Sequence, residues 1–116
     1  MSHVLLAEDE FLIRAVLVDA LDEIGLRCIE APTGREALEI VTGETPLAAI
    51  IVDIGLPDMS GEKVIEAAAQ HRPGTPIIRC SGGGSGEAAP PGVHVFMKPY
   101  SAADLSRFVA SLIARA

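Results

Sequence analysis

The chain has no tryptophan, one tyrosine and three phenylalanines, so only 3% of it is aromatic although 49% is hydrophobic. Its core must be built from valine, isoleucine, leucine and alanine, and stacking of nucleic-acid bases on aromatic faces is disfavoured as its main activity. Basic residues are scarce too: nine Lys and Arg stand against sixteen Asp and Glu, a formal charge of −7 with no basic cluster. That balance repels phosphate backbones and anionic headgroups, which argues against direct nucleic-acid or membrane binding and favours a cation as small partner. Cys28 and Cys80 fall in separate predicted strands without metal-ligand spacing, too few for a zinc site or a disulfide framework, and read as buried thiols. His3, His71 and His94 are scattered and receive no role. Only Met1-Ser2-His3 precedes the first apolar run, and no run approaches a membrane span, so the expectation is a cytoplasmic protein.

What is present is rhythm. Short apolar runs alternate with amphipathic stretches, the pattern of repeated strand-helix-strand units and of an α/β domain whose parallel sheet is covered on both faces. At 116 residues the chain suits one core, and a single domain over residues 1–116 with no output domain is expected. Strands read near 3–8, 26–31, 48–53, 76–80 and 93–97. A first helix over about 10–24 puts Ile13, Leu17, Ala20, Leu21 and Ile24 on one side, with Gly25 as its stop. Thr33 with Glu36 forms a capping box for a helix to Val41, Ser60 caps one to His71, and Ser101 caps a last helix carrying Leu105, Phe108, Val109, Leu112 and Ile113. The stretch Gly82 to Gly92 breaks the rhythm, since its glycines and paired prolines carry no apolar period, and it reads as a loop.

Three apolar runs end on charge. Val4-Leu5-Leu6-Ala7 ends on Glu8-Asp9, Ala48-Ala49-Ile50-Ile51-Val52 on Asp53, and Val93-His94-Val95-Phe96-Met97 on Lys98-Pro99. For a five-stranded doubly wound sheet the flavodoxin-like order 2-1-3-4-5 is the leading arrangement, with its ligand crevice at the carboxyl ends of strands 1 and 3. In that arrangement Glu8, Asp9 and Asp53 flank the crevice, with Ser81 and Lys98 at the ends of strands 4 and 5. Three carboxylates together repel one another unless a divalent cation neutralises them, and oxygen donors favour Mg²⁺. A carboxylate beside Mg²⁺, an ammonium and a hydroxyl is equipped to accept a phosphoryl group, giving an acyl phosphate on Asp53.

These residues resemble the receiver domains of two-component response regulators along nearly the whole chain. The resemblance rests on Glu8-Asp9, on Asp53 with Leu56-Pro57 and Gly61, on Ser81, and on Lys98-Pro99. Arg14, Leu17, Leu21 and Gly25 fit the family's first helix, and Glu30-Ala31, Gly34, Ala37 and Leu38 its second strand and helix. It implies that Asp53 is the phosphoacceptor, that Asp9, Asp53 and the Gly55 backbone carbonyl hold Mg²⁺ directly with Glu8 acting mostly through water, and that Ser81 and Lys98 hold phosphoryl oxygens. It also implies a cis Lys98-Pro99 bond and a chemotaxis-regulator-like fold. By the same resemblance a histidine kinase or phosphotransfer protein docks on Phe11, Leu12, Ala15 and Val18 with Pro99 and Tyr100.

Two departures from the family stand out. Val95 occupies the place of the aromatic that turns inward as the hydroxyl residue moves, and the Gly82 to Gly92 stretch shortens or replaces the fourth helix. Pro76-Ile77-Ile78-Arg79-Cys80-Ser81-Gly82-Gly83 resembles the Pro-Phe-x-Phe-Ala-Thr-Gly-Gly pattern of receivers paired with HWE-type histidine kinases. Four positions match, and both phenylalanines are missing. The leading function is a stand-alone receiver that signals by protein contact or drains phosphate, not an enzyme but a phosphoacceptor that assists its own phosphorylation and dephosphorylation. A non-phosphorylated pseudo-receiver is the alternative. An Mg²⁺-dependent phosphohydrolase ranks last, because Gly55 stands where a second acid would be needed.

Overall fold

The computed structural model describes residues 2–82, 92–98 and 100–115. Nine elements follow in order: β1 (Ser2–Ala7), α1 (Phe11–Glu23), β2 (Leu26–Ala31), α2 (Gly34–Val41), β3 (Ala49–Asp53), α3 (Gly61–His71), β4 (Ile77–Gly82), β5 (Val93–Lys98) and α4 (Ala102–Arg115). The strands form one all-parallel sheet in the order β2-β1-β3-β4-β5, the expected flavodoxin-like arrangement. Every residue of central β3 is buried, as a strand covered on both faces requires.

Alternation along the strands sorts the core into two layers. Leu6, Ile51 and Ile78 face Leu17 and Leu21 of α1 and Leu105 and Val109 of α4. Leu5, Ile50 and Ile77 face Ala37 and Val41 of α2 and Val64 and Ile65 of α3. The chain therefore leaves β1 toward one face and β3 toward the other, and those two strands are neighbours. The crevice between them at their carboxyl ends is the place where such a sheet leaves room for a ligand.

The helix signals in the sequence act as read. Gly25 takes φ +84° after α1, a conformation that costs a glycine little. Thr33 Oγ1 accepts from Glu36 N at 3.2 Å, Ser60 Oγ from Glu62 N at 3.2 Å and Ser101 Oγ from Asp104 N at 3.2 Å. The reciprocal half of the capping box differs: the Thr33 hydroxyl donates to the Glu36 carboxylate at 3.3 Å, so that side chain does not reach the cap's own N–H. Two further ties come from afar. The Asp58 carboxylate accepts from Gly34 N at 2.8 Å and Arg35 N at 3.0 Å, pinning the loop after β3 to the start of α2. Those N–H groups hold its pKa below the ordinary carboxylate value. Arg72 donates to the carbonyls of Ile40, Val41, Gly43 and Thr45, where α2 ends and helix carbonyls run short of backbone donors.

Some expectations change. Ile24 is 43% exposed, because the helix stops before its side chain reaches the sheet. Val18 packs against the first core layer, and Val16 takes the outward place beside Phe11 and Leu12. Cys28 is half-buried, since β2 is an edge strand, whereas Cys80 is buried. Four helices occur among the described residues. The expectation for the fourth helix falls on 83–91, and the cis bond and contact role of Pro99 fall on residue 99; these lie outside the described residues.

Candidate functional site

Strand pairing sets the site. Glu8 extends β1 by one step, its N–H donating to Ala31 O at 3.1 Å, and its carboxylate turns inward, 1% exposed as a residue. Asp9, one residue on, is exposed. Asp53 ends β3 at 7% exposure, and its successor Ile54 donates to Cys80 O of β4 at 3.1 Å. The register sets Gly82 beside Lys98, so β4 and β5 deliver Ser81 and Lys98 to the same end of the sheet. Gly61 closes the floor: its N–H donates to Ile54 O at 2.9 Å, and a Cβ there would lie 2.4 Å from Asp53 O. Only a residue without a side chain lets α3 start this close to the Asp53 backbone.

The Lys98 ammonium lies 3.1 Å from Asp53 Oδ2 and 4.0 Å from Glu8 Oε1, while Gly55 N donates to Asp53 Oδ1 at 3.4 Å. One ammonium thus serves two of three acids. Glu8, Asp9 and Asp53 each present a carboxylate oxygen, all within 4.8 Å of one another. Burial pushes the Glu8 carboxyl up to about 7; Glu10 N–H opposes this, the Asp53 charge adds to it and Lys98 lowers it. Lys98 is lowered by burial, but its hydrogen bond to Asp53 and the charges of Asp53 and Glu8 outweigh that and raise it. A carboxyl driven toward neutrality beside a lysine held charged marks a pocket short of positive charge.

The donor set fits a hard divalent cation, because all three donors are oxygens. A second feature independently fits an oxygen-rich ligand: Ser81 Oγ is buried with no hydrogen-bond partner among the described residues. A buried hydroxyl left unpaired costs about 1–3 kcal/mol, which a ligand oxygen would relieve. The thiols do not compete chemically, since burial pushes Cys28 and Cys80 each up to about 12. Their thiolates are scarce at neutral pH.

Of the residues expected at the crevice, Glu8, Asp9, Asp53 and Lys98 come together, Ser81 stands at the carboxyl end of β4, and Gly55 sits beside Asp53, exposed, with nothing within 4 Å of where a Cβ would stand. Val95 is 40% exposed on β5, while Phe96 faces the opposite layer, its ring centroid 5.5 Å from both Tyr100 and Phe108. Phe96 therefore cannot take the place of the missing aromatic. On the α1 side, Leu12, Ile13, Val16, Leu17, Tyr100 and Ala102 line a shallow groove of about 260 Å³, with Phe11 and Leu12 exposed at 69% and 76%.

Sequence reasoning gave no role to Arg79, which is 2% exposed on β4 and pairs with Glu62 of α3 at 3.1 Å. A lone charge inside an apolar strand was the available signal. It also gave Arg14 no function beyond fitting a helix, although Arg14 contacts the acidic pair's backbone.

A profile described as the response regulator receiver domain matches residues 4–109. The response regulator receiver protein CpdR of Brucella abortus is 28% identical over 118 residues, covering 97% of this chain and 98% of that protein. The Regulator of RpoS of Escherichia coli is 33% identical over 77 residues, covering 66% of this chain; the match spans only 23% of that longer protein. A solved response regulator receiver protein from Sinorhizobium medicae superposes with a TM-score of 0.88 at 23% identity, covering 97% of this chain and 94% of its own, a likeness of fold.

Proposed function

The chain belongs to the response regulator receiver domain family, and from that premise we propose that it accepts a phosphoryl group on Asp53 from a phosphohistidine donor. The observation that carries this reading is the convergence of Asp53, Glu8, Asp9 and Lys98 at one crevice, supported by a Ser81 hydroxyl at the end of β4 that lacks a partner among the described residues. One Asp53 carboxylate oxygen attacks phosphorus in line; the new O–P bond forms as the donor's N–P bond breaks. The leaving imidazole nitrogen keeps the electron pair and takes a proton from solvent. Lys98 stands beside the attacked carboxylate and shifts from it to a phosphoryl oxygen as charge moves outward. The Ser81 O–H donates to a second phosphoryl oxygen, which ends its lack of a partner. Glu8, Asp9, Asp53 and the Gly55 carbonyl would hold Mg²⁺, which supplies neutralising charge for the phosphoryl oxygens when bound.

Receivers of this family are signalling modules that work with histidine kinases or phosphotransfer proteins. The partner's helices are assigned to the apolar groove beside Phe11, Leu12 and Val16, next to the site. In this reading the receiver passes its state on by protein contact or serves as a phosphate sink. Among the described residues no helix is long and apolar enough to cross a membrane.

The test is incubation with acetyl phosphate with and without Mg²⁺, followed by intact mass. One phosphoryl group should appear on the wild type with Mg²⁺ and none on Asp53→Asn. No gain under Mg²⁺ from either acetyl phosphate or a phosphohistidine donor would favour a non-phosphorylated interaction module.

A further inference from the structure

Arg14 projects from the first turns of α1 toward the loop that carries the acidic pair. Its Nη1 donates to Glu8 O at 2.9 Å and reaches Asp9 O at 3.4 Å, while Nε pairs with Glu30 Oε1 at 2.9 Å. The side chain is 14% exposed, and the Phe11 ring lies 5.7 Å from its guanidinium carbon. β1 pairs with β2 through Ala7 and with β3 through Ala7, so the carbonyls of Glu8 and Asp9 lie beyond the paired register. The half-buried Glu8 carbonyl needs a donor, and the guanidinium that supplies it also reaches the exposed carbonyl of the next residue. Glu30, on the neighbouring strand, holds the guanidinium in turn.

We propose that Arg14 is a positioning residue that fixes the Glu8-Asp9 backbone, and so the Asp9 carboxylate, in the geometry that receives Mg²⁺. This rests on the receiver reading above. Asp9 is exposed and lies beyond the paired strand register, so its direction is set by the backbone beneath it. A planar fork that spans a carboxylate and two carbonyls locks that backbone; a lysine ammonium offers one compact charge and cannot span all three. Outer-shell contacts of this kind typically change metal affinity by about 10–100-fold when removed.

The test is Mg²⁺ titration of the intact chain by amide NMR, read at Asp9, Asp53 and Gly55, beside thermal unfolding of each metal-free variant. Arg14→Ala should raise the Mg²⁺ dissociation constant about tenfold or more, while the folded-state spectrum of α2, α3 and α4 stays in place. Arg14→Lys should fall between the two. A merely structural role would lower the unfolding temperature and leave the affinity of the folded protein unchanged, and that result overturns the proposal. Should Arg14→Ala not fold, Glu30→Gln, which removes the anchor of the fork, decides in its place: weakened Mg²⁺ binding supports the proposal, and unchanged binding overturns it. A wild type that fails to bind Mg²⁺ at millimolar concentration refutes the receiver reading itself, and this inference falls with it.

Discussion

Replacing Gly61 by alanine sets two effects against each other. Alanine at the first position of α3 gains about 1 kcal/mol of helix propensity over glycine. Against this, the new Cβ would lie 2.4 Å from Asp53 O and 2.9 Å from Ile54 Cα, inside the 3.0 Å that Cβ atoms essentially never breach. Both neighbours are backbone, so neither can swing away as a side-chain tip could. The helix start or the Asp53 peptide must move by on the order of 0.5–1 Å, and overpacking of this kind costs about 1–3 kcal/mol or more. The clash wins, because with both contacts on backbone the upper part of that range applies, about 2–3 kcal/mol: Gly61→Ala should be less stable by about 1–2 kcal/mol in urea unfolding, after the propensity gain is subtracted. Because the moved peptide carries the proposed phosphoacceptor, a displacement approaching 1 Å should slow phosphorylation by acetyl phosphate by about 10–100-fold. Gly55→Ala is the control for stability, since its Cβ meets nothing within 4 Å, and it should unfold within about 0.5 kcal/mol of wild type. A Gly61→Ala protein as stable as wild type and phosphorylated at the same rate would refute the close-approach argument.

Four other perturbations follow. Glu62→Ala leaves the Arg79 guanidinium without its 3.1 Å partner; because Glu62 is 39% exposed, the loss should be about 2 kcal/mol, below that of a fully buried pair. Arg79→Met on that background should restore stability, and a double variant no better than Glu62→Ala would count against the pair. Arg72→Ala removes donors from four carbonyls and should cost about 2–3 kcal/mol, with faster amide exchange in the last turn of α2; unchanged exchange there would contradict it. Glu8 is raised in the folded protein from 4.5 to about 7, so its contribution without Mg²⁺ is full below pH 4.5 and is lost as pH rises through 7. The stability difference between wild type and Glu8→Gln should therefore change by on the order of 3 kcal/mol across that window and shrink when Mg²⁺ is added; a pH-independent difference would dismiss the burial argument. Leu12→Glu places a charge on a residue that is 76% exposed, so it should fold normally. It should slow transfer from the fastest phosphohistidine donor at least tenfold with the acetyl phosphate rate unchanged. Equal transfer would remove the groove from consideration.

Much of the fold was legible because strand-end signals are local. Apolar runs terminated by Glu8, Asp53 and Lys98, and caps at Thr33, Ser60 and Ser101, place elements without knowledge of the partners. The crevice residues were readable for the same reason: a parallel sheet delivers all its carboxyl ends to one side, so naming the strand ends names the site. What stayed hidden depends on contacts between distant segments. Nothing near Arg72 announces that it serves α2 carbonyls more than twenty residues earlier, nor does Asp58 announce the α2 amides it caps. The face of α1 was misread at Val18 and Ile24 because helical periodicity fixes an angle only to within a residue. The packing of α4 and the length of the helix decide which neighbour is covered. At Val95, read as a departure from the family, the structure adds that the neighbouring Phe96 is committed to the opposite layer.

The central claim is that the phosphoryl group resides on Asp53. Borohydride reduces an acyl phosphate to the alcohol, so reduction of acetyl phosphate-treated protein in Mg²⁺, followed by peptide mass mapping, reports the site directly. The account predicts homoserine at position 53 and unmodified residues at positions 8 and 9. Reduction at Glu8 or Asp9 with position 53 intact, or at no carboxylate in a protein that has gained the phosphoryl mass, would contradict it.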